Sequence, residues 1–309
     1  MKRFLSIAMA LVMALATLTA CTGGGQTGSS PAPDGSSGAA SGQTTAVSQF
    51  PREESLYYFS GMGVVPTSFN PMGSAVQWPA GQMQYLLYEA LFMMDMLTGE
   101  LEPLIADKYE VQEDGSIKIT VNAKAHFNDG SALTAEDVKF SYDVASAYEL
   151  QWSSYWENIE AVEAVDAQTI VIKQKADNTN TPVVLDSLQM VPIMPKAIWG
   201  PIVEEAGDDV SKVRSVDNLQ NPVGSGPYKM KSFNDQGIYL ERDENYWGVE
   251  RFGSLPAPKY IIQPIYKSND LVATDFLNNK LDMAQAYIPK IWEMTEKNPA
   301  IKTYLSEAP

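Results

Sequence analysis

Apolar and polar positions along the chain alternate with a period of two in some stretches and with a helical period in others, with turn-forming residues between them. Leu56-Tyr-Tyr-Phe is strand-like, and Gly61, Gly63 and Pro66 break it. Met83, Leu86, Leu87 and Leu91 recur at the spacing of one helical face, which predicts a helix there. Ile117, Ile119 and Val121 alternate with Lys118, Thr120 and Asn122 after a turn at Glu113-Asp114-Gly115-Ser116, the pattern of a hairpin. Asn128-Asp129-Gly130 predicts a second turn. Thr134 then caps a helix whose first turn holds Glu136 and Asp137, where negative charge is favoured. Val138, Tyr142 and Ala145 form one stripe of that helix, with Phe140, Val144 and Tyr148 beside it. Strand, turn at Asp166-Ala-Gln and strand follow from Ile159 to Lys175, and Pro182 opens a short helix. Tyr228, Met230, Ile238 and Leu240 alternate with Lys229, Lys231, Tyr239 and Glu241, a half-buried strand pair turning at Asn234-Asp235-Gln236-Gly237. Two prolines and two glycines precede it in Asn221-Pro-Val-Gly-Ser-Gly-Pro, so the backbone there must turn tightly or run against a neighbour.

The first residues follow another logic. Lys2 and Arg3 begin the chain, Phe4 to Leu18 is apolar apart from Ser6 and Thr17, and small residues follow, the layout of a secretory leader too short to span a membrane comfortably. Residues 22–48 are Gly, Ser, Thr, Gln, Pro, Ala and Val with a single charge at Asp34, a flexible tether of about 30 Å mean reach. Cys21 is the only cysteine, which excludes an internal disulfide. The formal charge is −16, or −18 without Lys2 and Arg3 (20 basic against 38 acidic residues), which disfavours nucleic acid and anionic lipid as partners.

Several stretches carry a family resemblance. Leu18-Thr-Ala-Cys21 resembles the bacterial lipobox, in which the cysteine is lipidated and becomes the mature first residue. Ser68-Phe-Asn-Pro, Tyr88-Glu-Ala-Leu, Thr98-Gly-Glu-Leu-Glu-Pro-Leu-Ile-Ala-Asp-Lys-Tyr and Phe127-Asn-Asp-Gly-Ser-Ala-Leu-Thr-Ala-Glu-Asp-Val are similar, in order, to motifs of the family 5 solute-binding proteins. So are Val191-Pro-Ile-Met-Pro-Lys, Asn221-Pro-Val-Gly-Ser-Gly-Pro-Tyr and Leu240-Glu-Arg-Asp-Glu-Asn-Tyr-Trp-Gly. Ala90 stands where the family usually has glycine, and Asn279-Lys280 replaces the usual Gly-Glu. These proteins are the dipeptide, oligopeptide and nickel receptors of ATP-binding-cassette importers. The resemblance implies a mixed α/β, periplasmic-binding-protein-like fold of two lobes around a cleft, of the class with an extra inserted domain.

On that pattern residues 1–20 are a signal peptide and 21–49 the lipidated cysteine and tether. Residues 50–88 with 190–304 make the first lobe, 89–189 the inserted domain II, and 305–309 the start of a second lobe. The rest of that lobe, with the charged pair that takes a peptide's two ends, is expected to be missing from a truncated sequence. The resemblance implies a monomeric lipoprotein on the outer face of the cytoplasmic membrane that captures short peptides and hands them to permease subunits, with no cofactor and no catalysis. Ligand contacts are expected from Ala75, Val76, Gln77 and Trp78, from the aromatic cluster Trp152, Tyr155 and Trp156, and from Gln285 and Tyr287. Core packing is the competing account of the aromatic cluster.

Two other readings remain open: the same fold binding a nickel chelate or an oligosaccharide, and a lipid-anchored hydrolase. The lone His126 does not make a metal site, which needs three or four ligands. Glu241, Asp243 and Glu244 cluster at a hairpin end, where a solvated face explains them, and no nucleophile elbow, zinc motif or phosphate loop occurs.

Overall fold

Two sheets position everything else in the computed structural model, which describes residues 50–60, 69–72, 85–95, 97–148, 153–216 and 221–303. These all belong to one compact unit. Strand β1 (Ser55–Ser60) is followed by a small hairpin of β2 (Phe92–Met94) and β3 (Leu101–Pro103). Strands β4 (Ala106–Val111), β5 (Ile117–Val121), β6 (Ile159–Ala164) and β7 (Thr169–Gln174) form an antiparallel sheet in the order β4-β5-β7-β6. Strands β8 (Tyr228–Phe233), β9 (Gly237–Arg242), β10 (Tyr260–Pro264) and β11 (Met283–Gln285) join β1 in a second sheet, ordered β11-β1-β10-β9-β8. There β1 runs parallel to both β10 and β11. The helices are α1 (Ala135–Ala147), α2 (Thr181–Met190), α3 (Lys196–Ala206), α4 (Val210–Arg214), α5 (Val249–Phe252), α6 (Asn269–Leu277) and α7 (Ile291–Lys297).

Local chemistry accounts for most of these elements. Gly115 turns the β4–β5 hairpin with a φ of +82°, a conformation that side chains resist. Asp137 Oδ2 accepts from the backbone N–H of Thr134 at 2.9 Å, which caps α1, while its Oδ1 accepts from Lys196 N and so also fixes the start of α3. Val138, Tyr142 and Ala145 of α1 are buried as the stripe requires. The four-stranded sheet packs Ile117, Ile119, Ile170 and Ile172 against α1 and α2.

Three expectations are corrected. No helix forms over the described part of 83–91; residues 85–86 make one 3-10 turn and the chain then passes through a turn and bends to reach β2. Distant segments take the carbonyls that a helix would use: Leu87 O accepts from Gly226 N, Glu89 O from Ile193 N, and Leu91 O from Leu104 and Ala106 N. Leu87, Tyr88 and Leu91 are buried all the same. Strand β9 is not half-buried: Ile238 and Leu240 face Tyr228 and Ile261, while Tyr239 packs on the opposite face with Tyr57, Phe59 and Ile262, covered by Val272 of α6. Asp243 is not on a solvated face; it is 2% exposed and accepts from Lys229 Nζ and Asn245 N, each at 3.0 Å.

Candidate functional site

Three of the sequence motifs meet at one buried carboxyl. Glu89 is 1% exposed. The Tyr246 hydroxyl donates to its Oε1, Trp247 Nε1 donates to Oε2 at 3.0 Å, and its own backbone N–H donates to Ser225 Oγ at 3.2 Å. Burial pushes the Glu89 carboxyl up to about 8, against the opposing pull of the Tyr246, Trp247 and Ser225 hydrogen bonds and the Arg251 charge. Burial, and then the Glu89 charge, raise the Tyr246 hydroxyl. The 221–227 segment reaches this carboxyl only by lying against 86–88. A Cβ on Gly224 would sit 2.0 Å from the Leu87 carbonyl oxygen, and one on Gly226 2.3 Å from that of Leu86. The close approach expected of these glycines is therefore met. Sequence reading passed over Glu89; an acid between Tyr88 and Ala90-Leu91-Phe92, within an apolar run, was the available signal.

This clamp holds the sheet whose parallel strands end together. Ligands of open α/β sheets bind outside the carboxyl ends of such strands. Side chains two apart share a face, and the register sets Ser60 of β1 beside Gln285 of β11, with Tyr58 beside Met283. Tyr58 Oη donates to Gln285 Oε1 at 3.1 Å, and Gln263 Nε2, on β10, lies 3.4 Å from Ser60 Oγ. Gln263 is 2% exposed and its Oε1 has no hydrogen-bond partner among the described residues. Burial raises the Tyr58 hydroxyl. Tyr287, just beyond β11, is 76% exposed. Asp282 ties the start of β11 to β1 by accepting from Tyr57 N at 2.8 Å and from Arg52 at 2.5 Å. Of the polar groups in this row only Gln285 was anticipated; Tyr58, Ser60 and Gln263 become visible once the register is known.

The aromatic cluster divides. Tyr155 and Trp156 lie on a 3-10 helix, Ser153–Glu157, that follows α1. Trp156 packs against the interior on both sides of α1 and meets Tyr142 edge-on at 5.5 Å, and its buried Nε1 has no partner among the described residues. Tyr155 is half-buried and donates to Asp186 Oδ2 at 2.5 Å; burial and the Asp186 carboxylate both raise its hydroxyl. Cys21, Ala75, Val76, Gln77, Trp78 and Trp152 lie outside the described residues.

The other chemistry considered is otherwise engaged. His126 Nδ1 donates to the Phe127 carbonyl at 2.9 Å. Glu241 pairs with Lys231, Asp243 with Lys229 and Glu244 with Arg242. A surface hollow of about 400 Å³ beside Trp247 is lined by Asp107, Lys124, Glu250 and Arg251, whose charges pair with one another as Asp107–Arg251 and Lys124–Glu250.

Comparison with known proteins bears on the family and the fold. The oligopeptide-binding protein AppA of Bacillus subtilis is 29% identical over 190 residues, covering 59% of this chain and 33% of AppA. The peptidoglycan-binding protein YepA of Agrobacterium fabrum is 31% identical over 186 residues, 57% of this chain and 27% of YepA. The mannohexaose-bound periplasmic oligopeptide-binding protein of a Thermotoga maritima oligopeptide ABC transporter superposes with a TM-score of 0.70 at 28% identity, covering 84% of this chain and 46% of that one. The chain thus spans about a third or less of these sequence relatives and under half of the solved structure. Its mixed α/β architecture is that of the two-lobe periplasmic binding proteins. Residues 100–309 match the middle region described for the bacterial extracellular solute-binding proteins, family 5, and the chain belongs to that family.

Proposed function

We propose that this chain is the ligand-capturing part of a lipid-anchored receptor that binds short peptides outside the cell and delivers them to an ATP-binding-cassette importer. Cys21 carries the lipid, residues 22–49 form the tether, and the body stands on the outer face of the membrane as a monomer. Residues 50–88 with 190–304 form the first lobe and 89–189 the inserted domain II. The peptide lies extended, its backbone pairing with protein backbone, and a hinge closes over it. Ala75, Val76, Gln77, Trp78, Trp152, Tyr155, Gln285 and Tyr287 supply the contacts, with Trp156 beneath the aromatic platform.

The observation that carries this reading is the row of Tyr58, Ser60, Gln263 and Gln285 at the joined carboxyl ends of β1, β10 and β11. It offers hydrogen-bonding side chains in a line along one sheet face, as a binder of backbone amides needs. A second reading, capture of an oligosaccharide, is favoured by the mannohexaose in the Thermotoga relative. Titration calorimetry on the complete gene product, freed of ligand, with peptides of two to nine residues and with mannohexaose separates them. Saturable heat with peptides supports the first reading. Heat with mannohexaose alone moves the assignment to the second, and hydrolysis of either compound overturns both.

A further inference from the structure

Away from the strand ends, four elements bring one carboxylate against aromatic and sulfur-bearing side chains. Asp186, Gln189 and Met190 occupy positions i, i+3 and i+4 on one face of α2. Asp186 Oδ2 accepts from Tyr155 Oη at 2.5 Å, and Oδ1 accepts from Gln189 Nε2 at 2.6 Å. Gln189 Nε2 also reaches Met94 Sδ of β2 at 3.6 Å, and Tyr85 Oη reaches Met190 Sδ at 3.9 Å. Tyr85 is close enough to Tyr155 to help raise its hydroxyl. All six side chains are partly exposed.

Both donors to Asp186 are neutral, so its charge is unbalanced. No Lys or Arg nitrogen of the described residues pairs with it, whereas Asp107, Asp243 and Asp282 each have a cation. Residues 61–84 and 149–152 contain no Lys or Arg to supply one. Two neutral hydrogen bonds hold the carboxylate in place while leaving an attraction for positive charge. Tyrosine faces and polarisable thioethers nearby suit an ammonium or guanidinium. The net charge of −16 draws cations toward the whole surface.

We propose that Asp186, with Tyr155 and Tyr85, receives a positively charged side chain of the bound peptide. This rests on the peptide-receptor reading and adds a preference for basic peptides. The test is calorimetry on the complete gene product with Ala-Lys-Ala and with Ala-norleucine-Ala, which differ by the ammonium group. The unmodified protein should bind the lysine peptide about tenfold more tightly, the effect of one partly desolvated cation site. Asp186→Asn should erase that preference and leave norleucine-peptide binding unchanged. Asp186→Ser, which keeps neither the charge nor the carbonyl, should do the same if Asn perturbs folding. Binding of both peptides with no lysine preference, or a preference that survives both substitutions, overturns this proposal alone. Failure of both peptides to bind removes the peptide reading and this proposal with it.

Discussion

Glu89 makes stability depend on pH in a direction opposite to that of a salt-bridged carboxylate. Its carboxyl sits near 4.5 in an unfolded chain and about 8 in the fold, because burial disfavours its charged form. Between those values the folded state holds a proton that the unfolded state has lost, so stability falls as pH rises. The contribution is fully present below about 4.5, declines through the interval and is lost above 8. At about 1.4 kcal/mol per unit the full span is worth about 5 kcal/mol, and relaxation with water entry reduces the observable fall to about 2–5 kcal/mol. For a body of this size that is about 5–15 °C in Tm. Thermal melts from pH 5 to 9 on the unmodified protein and on Glu89→Gln measure it. A glutamine amide can donate to Tyr246 Oη while its carbonyl accepts from Trp247 Nε1, so the variant imitates the protonated acid. The two proteins should melt within a few degrees of each other at pH 5 and diverge by pH 8.5, with Gln the more stable. Other titrations cancel in the difference between the two curves. Parallel curves across the whole range would refute a buried, protonated Glu89.

Gly226→Ala should cost at least about 3 kcal/mol, measured by denaturant unfolding, because its Cβ would strike the Leu86 carbonyl while its own N–H is tied to Leu87 O, so the two segments cannot simply move apart. Thr134→Ala should cost only about 1 kcal/mol by the same assay: the hydroxyl is lost to Asp137, while the backbone half of the cap survives. Tyr287→Ala should leave Tm unchanged, within about 0.5 kcal/mol for so exposed a residue, yet weaken peptide binding in calorimetry. Equal loss of stability and affinity would place Tyr287 in the fold instead of at the ligand.

The strands and α1 were legible because their information is local. Gly115, the Thr134–Asp137 spacing and the period-two runs of 117–121 and 228–241 each determine structure within a few residues. The stretch over 83–91 misled because its apolar spacing suits a helix, while its hydrogen bonds go to residues 104, 106, 193 and 226. Asp243 misled for a related reason. Three acids in four positions read as a solvated end, yet Asp243 lies just past the end of β9, where its backbone N–H donates to Pro227 O and its buried carboxylate accepts from Lys229 Nζ and Asn245 N. The row at the strand ends was only partly visible, because Ser60 and Gln263 are unremarkable polar residues until the parallel pairing of β1 with β10 and β11 sets them side by side.

The same distinction explains why the motifs looked specific without revealing their purpose. Gly-Ser-Gly at 224–226, Tyr-Glu at 88–89 and Tyr-Trp at 246–247 have no evident chemistry when taken one at a time. Together they describe a single object. A carboxyl buried to 1% needs a donor for each oxygen, and Tyr246 and Trp247 provide them. Ser225 must come close enough to accept from the Glu89 N–H, which the glycines on either side permit by removing the side chains that would strike Leu86 and Leu87. Trp247 is thereby fixed in the interior of the four-stranded sheet, while the strand that precedes it, β9, belongs to the five-stranded one. One acid therefore fastens the two sheets to each other, and the candidate ligand groups on both are held relative to that fastening. If Glu89 deprotonates near pH 8, an unsolvated charge is left buried at the point where the two sheets are fastened, and ligand affinity should weaken over the same interval as stability.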